Sequence, residues 1–164
     1  GGGGLVAGIA AYVKYLRPQV KVIGVEPEDS NCLQAALAAG ERILVLARYH
    51  HLKPEALAKA GTRWPKLDLE FMTIHASKGQ QAEYVIIAGL HEGRDGFPAV
   101  ARESVLEEVL LPQPEDFPDA EERRLLYVAL TRAKHQVWLL QDRERPSVFV
   151  EHLQDLGVPV QKKP

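Results

Sequence analysis

The chain has 164 residues and a mass of 18.2 kDa, with 46% hydrophobic and 26% charged residues, the proportions of one folded domain. Disordered, collagen-like and coiled-coil architectures are excluded on that composition. Twenty Lys and Arg against 22 Asp and Glu leave a net charge of −2 and a pI near 6.3, which excludes a strongly basic stand-alone nucleic-acid binder but not a local basic patch. The single cysteine, Cys32, excludes a disulfide framework and a cysteine zinc site, and reads as a buried thiol. No apolar run reaches the ~18 residues of a membrane span, so no membrane association and a cytoplasmic setting are expected. Four glycines open the chain, and its one Met is Met72, which suggests a piece of something larger.

Helical and strand patterns alternate along the chain, the pattern of an α/β domain with a largely parallel sheet. Leu5 to Leu16 reads as a helix closed by Pro18, and the β-branched Val20 to Val25 as a buried strand. Asp29 or Ser30 can cap a helix through Leu33, Ala36 and Leu37, with Gly40 as its stop. Ile43 to Ala47 is an apolar run of strand length, and Pro54 stands ahead of a helix over Glu55 to Ala60. Phe71 to Ile74 and Tyr84 to Ala88 read as two more buried strands. Glycines and prolines interrupt the stretch from Gly89 to Pro118, with a short apolar helix near Val105 to Leu110. Asp119 then caps a helix reaching about Lys134, Val137 to Leu140 forms a last strand, and Ser147 caps a helix ending before Gly157. Tyr127 and Trp138 read as core residues rather than base-stacking surfaces.

Two stretches carry the chemistry. Glu70 to Gly79 reads EFMTIHASKG, a strand running into a loop whose Thr73, His75, Ser77, Lys78 and backbone amides near Gly79 are the groups that hold phosphates at a strand's carboxyl end. Asp119 to His135 reads DAEERRLLYVALTRAKH, and helical spacing sets Arg124, Val128 and Arg132 on one face. A guanidinium there is always ionised and forks onto two oxygens, so it suits the charge developing on a transferred phosphoryl group; a salt-bridged solvent face with Glu121 and Glu122 is the plainer alternative.

From about Arg42 to Pro164 the chain resembles the UvrD/Rep family of superfamily 1 DNA helicases, through ILVLARYH at that family's motif IV, MTIHASKGQQAEYVIIAGLHEG at motif V and AEERRLLYVALTRAK at motif VI. The resemblance implies the last RecA-like domain of an ATP-dependent motor of 3′ to 5′ polarity, a three-layer fold with a mainly parallel sheet and flanking helices. It implies Arg132 as the arginine finger toward the γ-phosphate, with a second finger at Arg48 or Lys53. Gln81 falls where the family places the Glu that contacts the ribose, and Lys78 and Gly79 lie on the same ATP side. Thr73, His75 and Ser77 fall among residues that touch single-stranded DNA, although His75 reads equally as a structural histidine.

Residues 1 to 41, GGGGLVAGIAAYVKYLRPQVKVIGVEPEDSNCLQAALAAGE, resemble instead the biosynthetic threonine dehydratases, pyridoxal-phosphate enzymes of the tryptophan-synthase β-type fold. That resemblance implies a cofactor-phosphate loop at Gly1, Gly2, Gly3 and Gly4, fitting the free amides of a glycine run opening a helix. The Schiff-base lysine and the groups around the pyridine nitrogen have no counterpart in the sequence, so pyridoxal phosphate is not expected to bind. The expected organisation is therefore a helix-strand-helix fragment, 1–41, that extends the sheet of a helicase-like domain, 42–164, as one compact unit. No GxxxxGK[ST] loop occurs, so ATP and its magnesium are expected to be held mainly by a partner, the N-terminal RecA-like domain of the parent motor, and no turnover is expected from this chain alone. No protein metal site is expected. A remnant pyridoxal-phosphate enzyme and a folded chimera without catalysis are the other readings.

Overall fold

The computed structural model describes residues 21–25, 41–60, 65, 67–99, 119–142 and 144–155. The glycines Gly1 to Gly4, Cys32, and the helices expected at Leu5 to Leu16, around Leu33 to Leu37 and near Val105 to Leu110 lie outside the described residues.

Five strands, β1 (Lys21–Val25), β2 (Ile43–Ala47), β3 (Leu69–Thr73), β4 (Ala82–Leu90) and β5 (Ala133–Gln141), form one sheet in the order β1-β5-β4-β2-β3. Every pairing is parallel, with Ile43 opposite both Leu69 and Tyr84, Val85 opposite Val137, and Lys21 opposite Gln136. Among the described residues two α-helices follow in the second half of the chain, α1 (Ala120–Leu130) and α2 (Val148–Asp155), and this parallel sheet with flanking helices is the α/β arrangement of a RecA-like domain.

Successive strand residues point to opposite faces, and both faces of this sheet are covered. On one face Leu44, Leu46, Val85, Ile87, Val137 and Leu139 pack beneath Leu125, Leu126, Ala129 and Leu130 of α1 and Phe149, Val150 and Leu153 of α2. On the other, Ile43, Val45, Ile86 and Trp138 are buried against Leu57, Leu67, Phe71 and Tyr84. Double-sided burial makes the strand centres read as unbroken apolar runs. Trp138 and the half-buried Tyr127 are core residues, as their sequence context suggests.

The ends of several elements differ from the sequence reading. β4 and β5 each run to nine residues, because their amino ends carry polar side chains that pair across strands, Lys134 with Glu83 at 2.7 Å. That extension shortens α1, which stops at Leu130 instead of Lys134: the Thr131 hydroxyl donates to the carbonyls of Tyr127 (2.9 Å) and Val128 (3.0 Å), and Ala133 is already in the sheet opposite Ala82. Asp119 precedes α1 in a left-handed conformation (φ 57°) and makes no side-chain cap bond. Glu55 to Lys59 is a 3-10 turn rather than an α-helix. Ser147 does cap α2: its hydroxyl accepts from the Phe149 amide at 3.3 Å and donates to the carbonyl of Phe97.

Candidate functional site

Parallel strands give the sheet an amino edge and a carboxyl edge, and the sequence-predicted site residues divide between them. After Thr73 the chain turns tightly and crosses from the carboxyl edge back to the amino edge. The Ala76 amide donates to Thr73 Oγ1 (3.3 Å), the Ser77 amide to the Thr73 carbonyl (3.1 Å), and the Gln80 amide to the Ser77 carbonyl (3.0 Å). Gly79 sits at φ +81°, a conformation side chains rarely adopt, which redirects the chain toward β4. Ser77 is fully buried and its hydroxyl donates to the Ile74 carbonyl at 2.6 Å, so its side chain builds the turn and offers no exposed surface to DNA. His75, Lys78 and Gln81 are exposed, and Thr73 is half-buried.

At the amino edge this loop meets the turn between α1 and β5. Arg132 lies past the end of α1, so it does not share a helical face with Arg124, which stays exposed on α1 and lies 3.7 Å from Glu121. Arg132 Nε donates to the Val128 carbonyl (2.9 Å), Nη1 to the Gln80 carbonyl (3.3 Å) and Nη2 to Thr131 Oγ1 (3.1 Å). Its own carbonyl accepts from the Ala82 amide at 3.1 Å. All three acceptors are neutral, and among the described residues no carboxylate pairs with this guanidinium.

A second arginine, missed in the sequence, grips the next carbonyl. Arg42 Nη1 donates to the Gln81 carbonyl (3.3 Å) while Nη2 pairs with Glu70 Oε2 at 2.6 Å, and that carboxylate holds the Arg42 proton more firmly than usual. The available signal was positional: a cation directly before a buried strand must emerge at the sheet's amino edge. Beside it, the Lys134 ammonium and Glu83's own backbone hold the Glu83 carboxyl below the ordinary Glu range, and burial followed by Glu41 raises the Tyr84 phenol.

Arg48 lies elsewhere. It follows β2 at the carboxyl edge, where its Nε donates to both carboxylate oxygens of Glu122 (2.9 and 3.1 Å) and Nη2 lies 2.8 Å from Oε1. Glu122, buried in α1, also accepts from the Ala99 amide at 3.0 Å. Ala47 is level with Ala88 on β4, and Ala133 with Ala82. At ~3.3 Å per residue the two arginines leave the sheet roughly 20 Å apart. Lys53, the alternative second finger, lies on the same carboxyl edge, with its ammonium 5.8 Å from the Phe71 ring centre. The structure thus brings Gly79, Gln81 and Arg132 to one edge of the sheet, and Arg48 and Thr73 to the other.

Among the described residues no three His, Cys, Asp or Glu side chains cluster as a metal site, and no helix is long and apolar enough to cross a membrane.

A parallel α/β sheet with flanking helices in this strand order has the form of a RecA-like, NTPase-type domain. Residues 31–144 match the family described as UvrD-like helicase C-terminal domain, and the chain belongs to that family. It is 72% identical over 124 residues to DNA helicase IV of Escherichia coli (strain K12), a match covering 76% of this chain and 18% of that protein. A shorter stretch is similar to threonine dehydratases: 60% identical over 45 residues to the biosynthetic chloroplastic enzyme of Arabidopsis thaliana, covering 27% of this chain and 8% of that protein. The biosynthetic L-threonine dehydratase of Escherichia coli (strain K12) is 63% identical over 43 residues, 26% of this chain and 8% of that enzyme. The chain therefore spans less than a fifth of the length of each of these relatives.

Proposed function

We propose that the chain acts as the C-terminal motor domain of an ATP-dependent 3′ to 5′ DNA helicase, active only beside an N-terminal RecA-like partner that carries the phosphate loop. The observation that carries this reading is Arg132, held by neutral oxygens in a turn against Gln80 and so ready to meet a polyphosphate as a finger. ATP with magnesium, when bound between the two domains, supplies the phosphoryl group whose transfer drives the motor. Toward it this chain offers the Arg132 guanidinium, the exposed Gln81 amide as a ribose contact, and Lys78 and Gly79 in the adjoining loop. Thr73 and His75, at the opposite edge, are the proposed contacts to single-stranded DNA, and Ser77 holds their loop in shape. Arg48 braces that edge through Glu122 rather than acting as a finger. A cytoplasmic setting belongs to the same reading.

Residues 1–41 we read as a dehydratase-like fragment serving as structure. The parallel register of β1 along β5, from Lys21 opposite Gln136 to Val25 opposite Leu140, supports that role. The decisive experiment mixes this chain with a separately expressed N-terminal helicase domain and measures ATP hydrolysis with and without single-stranded DNA. DNA-dependent turnover abolished by Arg132→Ala is the expected result. Absence of turnover in the mixture, or turnover by this chain alone, would overturn the reading.

A further inference from the structure

The six residues that follow β2, Arg48 to Lys53, hold more aromatic and cationic surface than the brace to Glu122 uses. The Arg48 guanidinium lies 4.9 Å from the Tyr49 ring centre, and the Tyr49 ring lies 5.5 Å from the His51 ring at an interplanar angle of 11°. These three planar groups form a column. Its inner end is fixed, because the same guanidinium is bonded to buried Glu122. Its outer end is an imidazole whose side chain is 60% exposed. Asp95 Oδ1 lies 3.9 Å from its Nε2. Beside the column, His50 meets Phe71 edge-on at 5.5 Å and Lys53 stands over the same ring.

The segment is anchored from below as well. Leu52 lies so close to Gly89 that a Cβ there would come within 2.9 Å of Leu52 Cδ1, and Gly89 itself has φ +77°. Rings held in a fixed, outward stack bury little surface for the fold, while every nucleobase presents a π face that such a stack can extend. The column stands on the same sheet edge as the proposed DNA contacts: Ala47, just before Arg48, is level with Thr73, and its carbonyl accepts from the Ile74 amide at 3.0 Å.

We propose that Tyr49 and His51, backed by Arg48, form a stacking platform for one unpaired base of a single strand, with Lys53 taking a neighbouring phosphate. This rests on the reading of the chain as a DNA-motor domain, and adds to it a base-stacking site distinct from Thr73 and His75. The test uses the full chain at low salt with an oligothymidylate carrying one 4-thiothymidine and a fluorescent end. Irradiation is expected to place the adduct on the peptide containing Tyr49 to His51. By anisotropy, Tyr49→Ala and His51→Ala should each weaken binding about tenfold, His51→Phe should retain it, and Lys53→Ala should reduce the salt slope by about one. Binding left unchanged by both alanine variants yet weakened by His75→Ala would overturn the platform while the DNA reading stands. No binding of the oligonucleotide by the wild-type chain would remove both.

Discussion

Arg48 and Arg132 leave the same sheet from opposite edges, one bonded to a buried carboxylate and the other only to neutral oxygens. The two arginines are therefore expected to fail differently. In the mixture with an N-terminal helicase domain, Arg132→Ala should lower DNA-stimulated kcat on the order of a thousandfold with the melting temperature little changed. Arg132→Lys should recover little of it, since an ammonium has no fork. Arg48→Ala should instead leave kcat within a few fold and lower the melting temperature. Equal catalytic losses would mean that both reach the nucleotide.

Removing Glu122 is expected to cost more than removing an ordinary surface acid. It accepts from Arg48 and from the Ala99 amide while buried, so Glu122→Ala strands a cation and a backbone donor together. Urea unfolding should show a loss of about 3 kcal/mol, and Arg48→Ala on top of it should cost little more. Fully additive losses would show that the pair is not coupled.

Two glycines separate strain from collision. At Gly79 the φ of +81° disfavours a side chain, but nothing lies within 4 Å of an added Cβ, so Gly79→Ala should cost about 1 kcal/mol. At Gly96 an added Cβ would run into the His91 carbonyl, whose oxygen accepts from the Phe97 amide and so helps bury Phe97 against Phe149. Gly96→Ala should cost about 3 kcal/mol by the same measurement. The reverse ranking would be inconsistent with this packing.

Glu83 sets a pH dependence at the amino edge. Lys134 and the Glu83 backbone lower its folded pKa, so the unfolded chain binds the proton more readily. The stabilisation is complete above the ordinary Glu value of ~4.3 and is lost as pH falls through the lower folded value. Because the pair is partly exposed, the effect should stay below about 1 kcal/mol, and Glu83→Gln should flatten the stability profile over that acid limb. An unchanged acid limb in the variant would show that the pair contributes nothing there.

What the sequence conveys and what it hides follow from the distance over which each feature is determined. The Ile43 to Ala47 strand was legible to the residue because all five side chains are buried and apolar. The amino ends of β4 and β5 were not, since Glu83, Lys134 and His135 look like loop until they are set side by side. Helical spacing set Arg132 on one face with Arg124, but its place in a turn depends on the sheet drawing Ala133 away from α1. The pairing of Arg48 with Glu122 was not legible, because the two lie 74 residues apart and no local pattern announces it. Ser77 illustrates the same gap at short range: a hydroxyl in a basic loop suggests a ligand, whereas the turn uses it internally.

The place of β1 beside β5 has a consequence for how the molecule is made. Lys21 meets Gln136 across more than a hundred residues of sequence, so during synthesis β1 must wait for β5. Its contact order is the highest in the sheet, and closing so long a loop comes late in folding. Until β5 emerges, an unpaired strand of β-branched residues travels with the nascent chain, where another nascent chain can capture it. The pairing of β1 with β5 is thereby the slowest step in assembling the sheet.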